Sequence, residues 1–218
     1  MKYLRVYEMT DDAISYVKKN EAKRKEFLQD TLKEYVRRSC GKSIDIIGNF
    51  DIGIGEYGKP YIADKDIEIG FSISHSGNYW GCIVGDEPVG LDIQVVEDRC
   101  GISAIAERFF SESENDYLKR EDERGFGLEA FYDIWVRKEA YIKLTGRGIG
   151  QGLSSFSVAD INGLYKSVNN KGRFFFTDLV ELGAFDEDYS MYGVKGAVCC
   201  ESDEEIIIKS VIFDAIGE

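Results

Sequence analysis

The residues with the clearest chemical potential lie in Phe131-Tyr132-Asp133-Ile134-Trp135-Val136-Arg137-Lys138-Glu139-Ala140-Tyr141-Ile142-Lys143, where charged side chains interrupt an apolar pattern. At about 3.6 residues per turn, Phe131, Ile134, Trp135 and Ile142 share one stripe of a helix. Lys138 falls inside that stripe, with Glu139 and Lys143 at its flanks. An ammonium among aromatic side chains is costly unless something negative meets it, so the helix either opens to solvent at Lys138 or holds an anion there. The pattern favours an anionic ligand. Glu139 and Lys143 also fit a plain i,i+4 surface pair worth about 0.3 kcal/mol.

A second set of polar residues alternates along Leu91-Asp92-Ile93-Gln94-Val95, which puts Asp92 and Gln94 on one face of a strand. Two oxygen donors there, joined by a helix carboxylate such as Glu139, are the makings of a Mg²⁺ site that water and substrate phosphate would complete. The competing reading is the polar outer face of an antiparallel strand. His75, the single histidine, lies in Ser72-Ile73-Ser74-His75-Ser76-Gly77. Adjacent Ser and His on a strand point to opposite faces, and no G-x-S-x-G elbow is present, so a hydrolase is disfavoured. One His cannot build a multi-His zinc site either. A structural role or a phosphate contact remains. Gly53-Ile54-Gly55-Glu56-Tyr57-Gly58 spells G-x-G-x-x-G, yet Lys59-Pro60 follows where a helix should run, which argues against dinucleotide binding. What is left is a turn presenting Lys59 beside exposed backbone N–H groups.

The elements that must position these groups can be read in order. Thr10 caps a helix that opens with Asp11 and Asp12, and Asn20 caps a second that runs to about Cys40. The second helix carries Lys23, Arg24, Lys25, Lys33, Arg37 and Arg38, either as a solvated face or, for some of them, as anion ligands. Strands are expected over 67–74, 79–84 and 89–95 as an antiparallel meander. Helices follow over about 102–120 and 127–145, the latter closed by Gly146. Further strands are expected over 154–158, 174–181, 191–200 and 205–212. The stretch 196–206 echoes 81–91: each has a small apolar strand, an acidic turn and a second strand. That permits two similar α+β halves about a pseudo-twofold axis, divided near residue 95.

Composition sets the bounds. With 218 residues and 44% hydrophobic content the chain can bury one sizeable core or two small ones. The net charge of −13 argues against nucleic acid as a partner, and any phosphate ligand needs a local basic pocket to overcome the global field. The apolar run Ile206-Ile207-Ile208 is strand-sized, far short of a membrane span, and the N-terminus alternates like a strand and lacks the features of a signal peptide. A cytoplasmic protein with no membrane partner is expected. Five Cys, including the adjacent Cys199-Cys200, show no C-x-x-C spacing and read as reduced, mostly buried thiols.

Three separated segments together resemble the 4′-phosphopantetheinyl transferases of the larger, surfactin-synthetase-activating type. Phe71-Ser72-Ile73-Ser74-His75-Ser76 resembles that family's strand ending in Ser-His-Ser, and Val89-Gly90-Leu91-Asp92-Ile93-Gln94 resembles its G-[IV]-D-[IV]-E strand. Trp135 to Gly148 resembles its W-x-x-K-E-A-x-x-K-x-x-G-x-G helix. Gly58-Lys59-Pro60 and Arg108-Phe109-Phe110-Ser111-Glu112-Ser113-Glu114 add weaker matches in the same order.

The resemblance implies an α+β pseudodimer of two similar halves, each an antiparallel sheet with packed helices, spanning 1–95 and 96–218 with the active site at their junction. It implies transfer of the phosphopantetheine arm from coenzyme A to a serine of an apo acyl or peptidyl carrier protein, with release of adenosine 3′,5′-bisphosphate. By resemblance Asp92 and Glu139 bind Mg²⁺ with the pyrophosphate, and Glu139 takes the proton of the attacking serine. Lys143 neutralises or protonates the leaving phosphate. Lys59, Ser74, His75 and Lys138 hold coenzyme A phosphates, with Lys23 or Arg24 as an addition. Gln94 departs from the family's second acid, so a more Mg²⁺-demanding site is expected, with Gln94 the third metal ligand. An acidic carrier facing an acidic enzyme implies docking through an apolar patch with a basic rim. A pseudodimer also implies a self-sufficient monomer. The competing readings are a carrier-binding or coenzyme-A-binding module without catalysis, and a Mg²⁺-dependent phosphohydrolase of nucleotides.

Overall fold

Tyr79–Gly85 is apolar on both faces and buried along its whole length, so something must cover it on both sides. The computed structural model, which describes residues 1–40, 48–98, 100–148, 152–169, 172–184 and 193–214, shows what does. This strand, β5, lies in a four-stranded sheet of order β12-β1-β5-β4, built from β1 (Lys2–Met9), β4 (Gly70–Ser76) and β12 (Ile206–Phe213). Trp80, Cys82 and Val84 face one way, into a cluster with Phe27, Leu28 and Leu32 of α2 (Glu21–Cys40). Tyr7 stacks on Phe27 at 4.0 Å there, and Ala13 and Val17 of α1 (Asp11–Lys19) complete the cover. Tyr79 and Ile83 face the other way, with Leu4 and Val6, against Leu91, Ile93 and Val198 of a second sheet.

That second sheet has the order β6-β11-β10-β9 and is antiparallel throughout: β6 (Val89–Val95), β11 (Val194–Cys200), β10 (Arg173–Asp178) and β9 (Ser167–Asn169). Its far face is covered by α4 (Glu112–Glu123) and α5 (Gly127–Thr145), with α3 (Ile102–Phe109) alongside, in a cluster that includes Phe110, Phe131, Tyr141, Phe174 and Phe176. The layers therefore run helix, sheet, sheet, helix, an α+β architecture as the sequence implied. The expectation of one antiparallel sheet per half is corrected: the first sheet is mixed, because β12 of the second half lies parallel to β1, and β6 of the first half joins the second sheet. The sheets trade strands. β6 leaves the hairpin β4-β5 to pair with β11, and β12 leaves β11 to lie parallel to β1.

Several elements differ from their sequence readings. The helix expected over 102–120 is two, because the chain turns at Phe110 and Ser111 then starts α4 with a capping box, Ser111 and Glu114 each bonding the other's backbone N–H. Residues 154–158 form no strand: a 3-10 turn, Leu153–Ser155, leads into extended Phe156. The turn around Lys59 belongs to a short hairpin, β2 (Ile52–Ile54) with β3 (Pro60–Ile62), whose bend uses Gly58 at φ +85°. Two-residue strands β7 (Ala159–Asp160) and β8 (Gly163–Leu164) pair nearby. Residues 191 and 192 of the expected 191–200 strand lie outside the described residues. Asn20 caps α2 as expected, its side-chain oxygen accepting the Lys23 N–H at 3.1 Å, whereas the Thr10 hydroxyl makes no cap and donates to Asp214. Cys82, Cys199 and Cys200 are buried free thiols and Cys100 an exposed one. Among the described residues no helix is long and apolar enough to cross a membrane.

Candidate active site

The site begins with a missing side chain. A Cβ on Gly90 would stand 1.9 Å from the Ala140 carbonyl oxygen and 2.7 Å from the Leu144 nitrogen, so only glycine lets α5 press its backbone onto β6. Gly90, Asp92 and Gln94 share the face of β6 turned to that helix, and Glu139 and Lys143, one turn apart, are the polar groups α5 brings there.

Asp92 is buried, with 2% of its surface exposed. Its Oδ1 accepts the Lys143 ammonium at 2.6 Å and the Ser74 hydroxyl at 3.0 Å, while Oδ2 accepts the Gln94 side-chain amide at 3.2 Å. The Lys143 ammonium also donates to Ser74 Oγ at 2.9 Å. Glu139 is different. Its carboxylate accepts no hydrogen bond from the described residues, and burial, followed by the nearby negative charge of Asp92, raises its pKa against the opposing pull of Lys143. Two carboxylates facing one space, one of them unsatisfied, make a natural seat for a cation or for a proton.

A cleft of about 210 Å³ opens beside Lys143, lined by Tyr57, Lys59, Pro60, Ile73, Ile142 and Gly148 among others. Lys59 enters it from the β2-β3 hairpin and is anchored by the Leu144 and Val89 carbonyls at 3.0 and 3.3 Å, tying the hairpin to the ends of α5 and β6. Burial holds its ammonium down at about 8. Farther along β4 a second hollow, about 240 Å³, is lined by Lys18, Arg24, His75, Tyr79 and Trp80. His75 is exposed at its edge, and its pKa is lowered by partial burial and then by Lys143, Arg24 and Lys18. Arg24 reaches this hollow while binding the Val17 and Lys18 carbonyls at 2.7 and 2.6 Å, capping the end of α1. A larger hollow, about 470 Å³, lies elsewhere, between α3, α4 and the start of α5, with Asp98, Glu107, Lys119 and Asp122 in its wall. It lacks converging cations and stands apart from the paired carboxylates.

Two residues singled out from the sequence are not brought to this cleft. Lys138 is fully buried and pairs with Glu114 at 2.8 Å, itself fully buried, and it donates to the Leu153 and Phe156 carbonyls at 2.7 Å each. The anion it demands is a side chain of the protein, so the expectation of a ligand phosphate there is corrected. Lys23 is also buried, 3.0 Å from Glu26 and 4.8 Å over the Phe213 ring, and is not among the residues lining His75's hollow. Of the pair Lys23 and Arg24, only Arg24 lines the hollow beside His75. Sequence reasoning missed Lys18 and Glu114. Nothing marked Lys18 beyond a basic last turn of α1, but Ser111-x-x-Glu114 carries the capping-box spacing that announces a fixed, inward carboxylate.

The site thus combines a carboxylate pair at a strand and helix junction with a lysine between them and basic hollows alongside. Residues 88–191 match the model of the 4′-phosphopantetheinyl transferase superfamily. Among its relatives, a 4′-phosphopantetheinyl transferase of Bacillus subtilis is 42% identical over 108 residues, 49% of this chain and 46% of that protein. The transferase Sfp of Bacillus subtilis (strain 168) is 43% identical over 106 residues, 47% of this chain and 44% of its own. AcpT of Escherichia coli (strain K12) is 32% identical over 120 residues, 54% and 56% of the two chains. The chain thus spans about half the length of the curated relatives it matches.

Proposed function

We propose that this protein transfers the 4′-phosphopantetheine arm of coenzyme A to a serine of an apo acyl or peptidyl carrier protein. The observation that carries the reading is the cluster Asp92, Lys143 and Glu139, set where β6 meets α5, with Lys143 in the wall of one basic hollow and a second around His75 farther along β4. The pyrophosphate of coenzyme A fits against Lys143 and Lys59, and its 3′-phosphate fits His75, Arg24 and Lys18. These local cations answer the difficulty posed by a net charge of −13.

The donor set also fits a Mg²⁺ ion. Asp92 and Glu139 supply two charged oxygens and Gln94 an amide oxygen, with the amide's two ends interchangeable in shape. Among the described residues no group of three His, Cys, Asp or Glu assembles, so substrate oxygens and water would complete the shell. When bound, the ion supplies charge neutralisation at the pyrophosphate. The chain's own groups do the rest. The carrier serine oxygen forms a bond to the phosphorus bearing the pantetheine arm, and the bond from that phosphorus to the bridging oxygen breaks. The serine proton passes to the Glu139 carboxylate, whose pKa burial raises and so makes it a better proton acceptor than an exposed carboxylate. Lys143 holds positive charge at the departing oxygen, and adenosine 3′,5′-bisphosphate leaves.

The proposal extends to the architecture: two halves, 1–95 and 96–218, related by a pseudo-twofold axis and acting as a cytoplasmic monomer. The exchange of β6 and β12 between the sheets supports the joining of two halves. Intact-protein mass spectrometry of an apo carrier incubated with coenzyme A and Mg²⁺ tests the activity. Gain of one phosphopantetheine, absent with Glu139→Ala and with the carrier serine replaced by alanine, is expected. Coenzyme A binding with no gain on any carrier would favour a binding module instead.

A further inference from the structure

Antiparallel pairing sets Lys195 of β11 directly opposite Gln94 of β6, and Ala197 opposite Asp92. Opposed residues share a face with their Cβ atoms about 5 Å apart, and diagonal neighbours, about 7–8 Å apart, are within reach of a long side chain. Lys195 therefore stands on the sheet face turned to α5, level with Gln94 and on the diagonal from Asp92. Its charge rides on a flexible four-carbon stem. The carboxylates nearby have capacity to spare: Asp92 Oδ2 takes the Gln94 amide at 3.2 Å, and Glu139 accepts no hydrogen bond from the described residues. Such a pair attracts any mobile ammonium, and one settling on Asp92 would fill the space a divalent cation needs. Lys195 is turned the other way. Asp133, six residues before Glu139 and so about 9 Å along the axis of α5, holds its ammonium at 2.9 Å, with the two side chains 19% and 22% exposed.

Resting on the transferase reading, we propose that Asp133 is a positioning residue of this site: it ties Lys195 away from Asp92 and so keeps the place between Asp92, Gln94 and Glu139 open to the divalent cation. A glutamate at position 94 would meet the ammonium across the ladder. Gln94 is neutral and cannot, which leaves the counter-charge to Asp133. A second ion pair between α5 and the same sheet supplies a comparison. Arg137, one turn on from Asp133, meets Asp178 at 2.6 Å and is held as well by the Tyr165 carbonyl at 3.1 Å. Asp178 is two strands from Asp92, with Ala197 between them. It is a pair of the same kind without a neighbour on the metal-facing strand.

Asp133→Asn, Asp133→Glu, Lys195→Met, the double variant Asp133→Asn/Lys195→Met and Asp178→Asn should be compared by Mn²⁺ binding, read by electron paramagnetic resonance with coenzyme A present and carrier absent. Asp133→Asn is expected to raise the Mn²⁺ concentration for half occupancy about 10-fold, the effect of one nearby charge partly screened by water. Asp133→Glu keeps the tether and should bind as the wild type does. The double variant should return to the wild-type value, because without the ammonium the tether has nothing to hold. Asp178→Asn should lower the melting temperature and leave Mn²⁺ binding within about twofold. Binding indifferent to Asp133→Asn, or a loss that persists in the double variant, would overturn the inference. Coenzyme A affinity weakened tenfold or more by Lys195→Met, measured by calorimetry, would overturn it in favour of a phosphate ligand. Wild-type protein that takes up no Mn²⁺ would sink the metal seat and this inference with it, whereas uptake in the wild type with no response to Asp133→Asn sinks this inference alone.

Discussion

Replacing Lys138 by Met separates a structural cation from a ligand-binding one. Lys138 and Glu114 are both fully buried, 2.8 Å apart. The lysine also satisfies the Leu153 and Phe156 carbonyls, and Glu114 satisfies the Ser111 and Val158 N–H groups at 2.7 Å each. Together they clamp α4 and the 153–158 segment to α5. Met fills the lysine's volume but leaves a buried carboxylate without its counter-charge, a loss of about 3–5 kcal/mol. For a chain of this length each kcal/mol moves the midpoint by about 2–4 °C, so the melting temperature should fall by about 6–20 °C. Coenzyme A affinity, measured by calorimetry below that midpoint, should hold within about threefold because the ammonium never meets the ligand. The double variant Lys138→Met/Glu114→Gln should recover part of the loss by removing the stranded charge. An unchanged midpoint together with affinity weakened tenfold or more would refute the assignment and return Lys138 to the ligand.

Other perturbations test the remaining parts of the site. Gly90→Ala drives a Cβ into the Ala140 carbonyl of a rigid helix, so carrier modification should be lost, with at least about 1–3 kcal/mol of stability in chemical denaturation. Burial holds the Lys59 ammonium at about 8, so KM for coenzyme A should rise as pH passes from 7 to 9 and the lysine loses its charge, a limb absent in Lys59→Met. The stability sign runs oppositely: between about 8 and the ordinary lysine value near 10.4 the unfolded chain binds the extra proton, so this group makes unfolding less favourable as pH rises through that window. Arg24→Ala should raise the KM for coenzyme A several fold and Lys23→Ala should not, since Arg24 alone of the two lines the hollow beside His75. Gln94→Glu adds a charged oxygen beside Asp92 and should lower the Mg²⁺ concentration for half-maximal activity about tenfold, and an unchanged Mg²⁺ dependence would place Gln94 outside the metal's reach.

The residues that carry local or repeating rules were legible without coordinates. The span 127–145 is helical by its own periodicity, and its stop at Gly146, φ +64°, is the left-handed close that glycine permits. Strand alternation put Asp92 and Gln94 on one face, and the motif order pointed to the superfamily that residues 88–191 match. Periodicity also showed that Lys138 needs an anion. It could not show which, because a charge's partner is set by distance in space, and Glu114 lies on another helix brought near by packing. The same holds for Ser74, where one-dimensional reading saw a polar residue beside a histidine. Only the meeting of two sheet edges turns it toward Asp92, Ile93 and Lys143 together. The trade of β6 and β12 between sheets was likewise beyond the sequence, since an apolar strand satisfies either sheet and the choice rests on how both cores close. Residue type and spacing thus determined which chemistry this chain could host, and tertiary packing decided which cations line the hollows and which are paired inside the fold, because burial and counter-charge are properties of the assembled interior.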